Sequence, residues 1–96
     1  MNKPINWFEI PVADLERAQR FYEATFAIDM QREDMGPMRM ALFPYAEPAT
    51  GGALLACPDA RPGDHGVVIY LDGGTDLAVP LARAVAAGGT VLMPKT

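Results

Sequence analysis

The residue best suited to chemistry near the amino end is Glu9, a carboxylate inside the apolar run "WFEIPV". Alternate residues of a β-strand point to opposite faces, so Trp7 and Glu9 share one face with Pro11. Phe8 and Ile10 share the other face, which has the composition of a core face. We predict that burial beside Trp7 raises the pKa of Glu9 toward neutral, which suits proton abstraction next to a carbonyl.

Each candidate site residue also has a structural alternative. Glu9 is either a pocket carboxylate or a group satisfied by Arg39 or by backbone amides. His65, in the turn-rich segment "PDARPGDHG", is either a ligand or acid/base group at the rim of a site or a solvated loop residue. Trp7 and Tyr70 either stack on an aromatic ligand or belong to the core.

Length and charge limit the class of protein. With 96 residues and a net charge of -4, the chain is one domain, and it lacks the clustered Lys and Arg of a nucleic-acid surface. No apolar run reaches membrane-spanning length, and the first residues lack the long apolar core of a signal peptide. Cys57 is the only cysteine, which favours a reducing, cytoplasmic location; we expect it to pack as a small hydrophobic residue.

The remaining segments predict two strand-and-helix units in succession. Asp14 caps a helix with an apolar stripe that includes Leu15, Phe21 and Phe26. A second helix follows Asp76; because proline has no backbone N–H, Pro80 in its first turn favours a later start. The predicted strands after the first are residues 28–35, 38–44, 53–57, 67–71 and 90–94.

Three stretches resemble one known family: "NWFEIPVADLERAQRFYEATF", "MRMALFP" and "DLAVPLARAVAAGGTVLMPKT". They are similar to the glyoxalase/bleomycin-resistance/dioxygenase proteins, the vicinal oxygen chelate superfamily. The resemblance implies an α+β fold of paired βαβββ modules, whose curved mixed sheet forms a cup around a small ligand. We predict a single domain over residues 1–96, with a first module at 1–58 and an incomplete second module at 64–96. Cups of this kind usually pair, so we also predict a homodimer.

The resemblance further implies four inward-facing metal ligands in the metal-dependent relatives. Glu9 matches the first of these positions. The second should lie on "GALLAC", which has no carboxylate or imidazole, and the candidates for the third, Val67, Ile69 and Leu71, are apolar. A single carboxylate does not hold a catalytic divalent ion. A divalent metal is therefore implied by the family but not supported by these residues, and the cofactor stays unknown.

Three functions remain open on this basis. The first is a lyase, isomerase or dioxygenase relative that works without the four-ligand site, with Glu9 as its polar centre. The second is a non-catalytic binder, as in the bleomycin-sequestering branch, which traps a cationic or aromatic compound. The third is a module with no ligand.

One departure from the family pattern concerns the end of the first helix. Relatives usually carry glycine after "YEAxF", where this chain has Ala27. If the backbone there is left-handed, alanine costs about 1 kcal/mol relative to glycine.

Overall fold

One mixed sheet organises the first part of the chain in the computed structural model, which describes residues 3–93. The elements are β1 (Trp7–Pro11), α1 (Leu15–Phe26), β2 (Gln31–Met35), β3 (Met38–Leu42), β4 (Gly51–Ala56) and α2 (Ala78–Ala86). The strand order is β1-β4-β3-β2, with β1 parallel to β4 and the other pairs antiparallel. The predicted α+β class and mixed sheet are confirmed, whereas the pairing of two modules stays a prediction.

Strand register separates the side chains into two faces. Glu9 lies opposite Ala53, which in turn lies opposite Leu42, so these three share the face that we call the open face. Ile10 and Leu54 pair at the next position and share the opposite face, which α1 covers. We call that second face the helix face. The prediction that Glu9 and Phe8 lie on opposite faces is therefore confirmed.

The main core lies between α1 and the helix face. Asp14 caps the helix as predicted, because its Oδ1 accepts a hydrogen bond of 3.1 Å from the backbone N–H of Arg17. Leu15 follows directly and is 1% exposed, in contact with a cluster that includes Ala41 and Leu54. Burying side chains of this size stabilises a fold by about 1.5–3 kcal/mol each, so this cluster fixes the position of α1 on the sheet.

A smaller apolar cluster forms on the open face. Met40, Ala53 and Leu55 are buried there, and Cys57 packs against them. The prediction that Cys57 behaves as a small hydrophobic residue is confirmed. Glu9 therefore lies beside an apolar patch.

Two adjacent glycines of β4 let aromatic rings approach both faces closely. A Cβ on Gly52 would lie 2.3 Å from the ring of Phe8, and a Cβ on Gly51 would lie 2.5 Å from the ring of Tyr45. Tyr45 also contacts Trp7 edge-on, with ring centroids 5.9 Å apart. The absence of side chains at "GG" thus allows an aromatic pair to sit next to Glu9 on the open face.

The end of α1 is strained as predicted. Ala27 has φ 54° and ψ 51°, in the left-handed region, and its N–H donates to the carbonyl of Glu23. The side chain of Glu23 fastens the following turn, because its Oε2 accepts from the N–H of Met30 at 2.8 Å. These bonds hold alanine in a conformation that glycine adopts at lower cost.

The later part of the chain departs from the prediction. Residues 67–71 and 90–93 are not strands, while residue 94 lies outside the described range. The strand order places no strand beside residues 67–71 among residues 3–93, so their backbone has no ladder to join. These two strand predictions are wrong for the described residues.

The second helix is confirmed, and it begins where Pro80 favours. Leu77 is the N-cap and α2 starts at Ala78, whose N–H donates to Asp76 Oδ1 at 3.0 Å. Pro80 is the buried residue of α2, which packs against α1. In the described part of the chain, neither helix has the length and apolar character needed to cross a membrane.

Candidate functional site

Glu9 lies on the open face with its side chain in contact with solvent. The indole Nε1 of Trp7 donates a hydrogen bond of 3.3 Å to Glu9 Oε2. The predicted burial beside Trp7 is therefore wrong: the two side chains are adjacent, but nothing in residues 3–93 covers the carboxylate. The indole instead orients Glu9 along the strand.

Arg39 does not satisfy Glu9, so the part of the structural alternative that names Arg39 is wrong. Arg39 aligns with Ala56 on the helix face, and its Nη2 lies 2.6 Å from Glu16 Oε1. This hydrogen bond is the main cause that lowers the pKa of Glu16 from 4.5 to about 2, and it raises the pKa of Arg39. The strand's alternation keeps Arg39 on the opposite side of the sheet from Glu9.

Glu9 and His65 line the same groove, although they are far apart in the sequence. The groove has a volume of about 520 Å³, and its walls include Pro11, Arg61 and Ile69. We call it the Glu9 groove. It forms because the loop after β4 passes along β1, and it places an acidic, a basic and an imidazole group around one space. Sequence reasoning missed Arg61; its only signal was a basic residue in the same turn-rich segment as His65.

The environment of His65 is that of a solvated loop residue. Its side chain is 92% exposed, and Nδ1 lies 3.1 Å from Asp64 Oδ1. Both groups are close to fully accessible, so the contact is worth little in stability. His65 thus combines a part of each predicted alternative: it lies at the rim of the groove, and it is solvated.

The two predicted aromatic residues do not share a site. Trp7 is 38% exposed and touches both Glu9 and Tyr45. Tyr70 is 92% exposed and lines a separate cleft beside α2. The core alternative is therefore wrong for Tyr70. Of the four predicted site residues, the structure brings Trp7, Glu9 and His65 to one region and leaves Tyr70 apart.

The donor set around Glu9 does not fit a metal ion. Within residues 3–93, no group of three or more His, Cys, Asp or Glu side chains comes together as metal ligands. Ala53, the strand neighbour of Glu9 on the open face, is apolar. A catalytic divalent ion needs about three protein donors, so no step at this site is assigned to a metal.

Residues 5–43 match the family model described as bleomycin resistance protein-like N-terminal. No curated protein matches the chain. The matched segment contains β1, α1, β2 and β3, and so covers most of the sheet and the strand that carries Glu9. This match supports the resemblance to the glyoxalase/bleomycin-resistance/dioxygenase superfamily, and the resemblance predicted from the sequence is confirmed for the matched segment.

Proposed function

We propose that this chain binds a small molecule at the Glu9 groove and holds it without chemical change. The observation that carries the proposal is the position of Glu9: an accessible carboxylate, oriented by an indole, in a groove of about 520 Å³. That volume lies within the range of about 300–1,000 Å³ for small-molecule sites. The match to a bleomycin resistance protein-like family model supports sequestering as the role.

The chemistry of the groove favours a cationic aromatic compound. An ammonium or guanidinium group would pair with the Glu9 carboxylate, and a flat ring would lie against the partly exposed Trp7. The net charge of -4 attracts cations to the surface from a distance. Arg61, on the other wall, would repel the cation, so we expect the positive group to lie on the β1 side.

An enzyme of the lyase, isomerase or dioxygenase type is the second candidate, and the family resemblance is what favours it. Proton abstraction by a carboxylate is favoured in a site that excludes water, and Glu9 is exposed. His65, which also lines the groove, is exposed as well. Catalysis also needs groups that are held rigidly, so these observations favour binding over turnover.

The proposal is tested by isothermal titration calorimetry with metal-free bleomycin and three proteins: wild type, Glu9→Gln and Glu47→Gln. Glu47 is an exposed glutamate in the loop before β4, outside the groove, so it controls for the loss of one charge. We expect Glu9→Gln to weaken binding about three- to tenfold, the range for a charged hydrogen bond with some exposure, and Glu47→Gln to leave it unchanged.

Equal affinities in the three proteins, or no heat of binding in any, would contradict the proposal. Mass spectrometry of the compound after incubation separates the two candidates. Recovery of the compound unchanged supports sequestering. A product that forms with wild type and not with Glu9→Gln would establish the enzyme instead.

We also propose that two copies of the chain pair as a homodimer. Among the described residues, β1 hydrogen-bonds only to β4, so its outer edge is open. Next to it, Val67, Val68 and Tyr70 are 90%, 69% and 92% exposed. An open strand edge beside exposed apolar side chains is the kind of surface that proteins cover. A cytoplasmic location belongs to the same proposal, supported by the lone cysteine.

Light scattering over a concentration series tests the homodimer. We expect the mass of two chains for wild type, and the mass of one chain for Tyr70→Lys, which puts a charge in the apolar surface. Arg20→Lys, on the exposed side of α1, is the control and should resemble wild type. A wild-type protein that keeps the mass of one chain at every concentration would refute the pairing.

A further inference from the structure

We propose a second binding site, separate from the Glu9 groove, for an apolar carboxylate: a compound with an aromatic ring or short alkyl chain and one carboxylate group. The site is a cleft of about 830 Å³ between the helix face of the sheet and the segment that leads into α2. We call it the aromatic cleft and define it by Phe8, Phe26, Phe43, Ile69 and Arg83. It does not include Glu9 and does not depend on the proposed function; Ile69, between the two sites, lines both.

The apolar wall of the cleft is held in place by contacts between rings. Phe8 and Phe43 lie with ring centroids 5.6 Å apart, and Phe43 contacts Tyr22 at 5.6 Å in an edge-on arrangement. The ring of Phe8 lies against Gly52, where there is no side chain to displace it. A wall of this kind is formed before a ligand arrives, which lowers the entropy cost of binding.

The opposite wall is fixed by the packing of the segment before α2. A Cβ on Gly73 would lie 2.6 Å from Leu77 Cδ2 and 3.2 Å from Pro80 Cγ, so the backbone of this segment rests directly on the start of the helix. Asp72 Oδ1 accepts from the N–H of Gly74 at 2.9 Å, which shapes the same turn. Ile69, just before this turn, thereby faces the sheet's aromatic residues across the cleft.

The polar side chains of the cleft differ in whether they already have a hydrogen-bond partner. Thr50 Oγ1 already donates to the carbonyl of Ile5 at 3.0 Å, and Asp72 accepts the bond from Gly74. The Arg83 guanidinium has no hydrogen bond or ion pair to any of residues 3–93. An arginine fork matches a carboxylate in a bidentate arrangement.

An apolar cleft with an arginine that has no counter-ion among residues 3–93 therefore fits a ligand with one anionic end. The cleft's volume falls in the upper part of the range for small-molecule sites. Asp72 lies more than ion-pair distance from Arg83, since no bridge joins them, and it disfavours a second anionic group on the ligand. The inferred class is thus a monocarboxylate.

The test is a titration of the full chain with 4-phenylbutyrate, followed by amide shifts in ¹⁵N NMR spectra. We expect shifts at Phe8, Phe26, Phe43 and Arg83, which line the cleft and not the Glu9 groove. Arg83→Gln should weaken the acid about three- to tenfold and leave the affinity for neutral 4-phenyl-1-butanol unchanged. Arg20→Gln, on the exposed side of α1, is the charge-matched control and should bind both compounds as wild type does.

Several results would overturn the proposal. The first two are the absence of amide shifts in the cleft and shifts confined to the Glu9 groove. A third is that Arg83→Gln weakens the binding of the acid and of the alcohol equally. The last is that cleft residues shift with protein concentration alone, which would mean that a second copy of the chain fills the cleft. If Arg83→Gln does not fold, Arg83→Lys takes its place and should show a smaller loss for the acid only. Glu9→Gln should leave 4-phenylbutyrate binding unchanged, so failure at one site is distinguishable from failure at the other.

Discussion

The two parts of this chain use similar residues with different results. In residues 7–56, apolar runs form β1, β3 and β4, each hydrogen-bonded to a neighbour. Residues 67–71, "VVIYL", have at least as strong a β-forming composition but make no strand in the described structure. Leu54 of β4 is 0% exposed, whereas Val67 is 90% exposed. The difference teaches that composition specifies a strand only where a partner strand is present.

The contrast extends to the helices. α1 has a capping side chain at its N-terminus and a buried stripe against the sheet. The N-cap residue of α2, Leu77, has no capping side-chain bond of its own, although Asp76 accepts from the N–H of Ala78. Leu77 and Val85 are 52% and 51% exposed. The first part therefore contributes most of the stabilisation from side-chain packing, and the second part packs against it.

The largest expected difference comes from matched truncations in the two parts. Leu54→Ala removes a fully buried side chain between α1 and the sheet, and should lower the free energy of unfolding by about 2–5 kcal/mol. Val67→Ala removes an exposed side chain and should change it by no more than about 0.5 kcal/mol. Urea denaturation of both variants at one dilute concentration makes the comparison. Similar losses in the two variants would mean that residues 67–71 are packed.

A reciprocal pair of substitutions at the helix ends sharpens the comparison. Ala27→Gly relieves a left-handed backbone at the end of α1 and should raise the free energy of unfolding by about 0.5–1 kcal/mol. Gly88→Ala places alanine at φ 101° after α2, a strained value that costs about 1 kcal/mol or more if the helix end stays folded. Because α2 is the less tightly packed helix, its end can unfold locally instead of adopting the strained backbone. We therefore expect Gly88→Ala to lower the free energy of unfolding by less than Ala27→Gly raises it. A larger loss at Gly88 would show that α2 contributes fully to the cooperative unit.

The smallest effect is a pH dependence in the first part. The pKa of Glu16 falls from 4.5 to about 2, chiefly through its hydrogen bond to Arg39. Because the folded state holds this pKa below its unfolded value, the stabilisation is complete above pH 4.5 and is lost as the pH falls toward 2. The side chains of Arg39 and Glu16 are 44% and 49% exposed, so solvent screens the pair and we expect a small change in the urea midpoint across that window. Arg39→Gln should reduce the pH dependence of the urea midpoint. If the variant shows the same pH dependence as wild type, other carboxylates cause it.

Sequence reasoning was most successful where the signal is local. The Asp14 cap and the delayed start before Pro80 each depend on residues within one or two helical turns, and both are confirmed. The strain at Ala27, predicted from the glycine that relatives carry there, is confirmed as well. The face of Glu9 was likewise correct, because alternation along a strand requires no knowledge of its partners.

Predictions that depended on distant segments were the ones that were wrong. Burial of Glu9 required a covering wall opposite the open face, and none lies over it in residues 3–93. The partner of Arg39 depended on the register of β3 against β1 across β4, which the sequence does not reveal; that register sends Arg39 to Glu16. The strand at 67–71 was wrong for the same reason, because its existence depends on a neighbour rather than on its own residues.

The contrast between the two parts is tested most directly by residue-resolved amide hydrogen exchange, at dilutions where light scattering gives the mass of one chain. If a partner strand is what "VVIYL" lacks, the inner amides of β4 exchange only through global unfolding, and those of residues 67–71 exchange at close to unfolded-chain rates. Protection of residues 67–71 equal to that of β4 in the single chain would contradict this account, because that segment would then be hydrogen-bonded to a neighbouring strand.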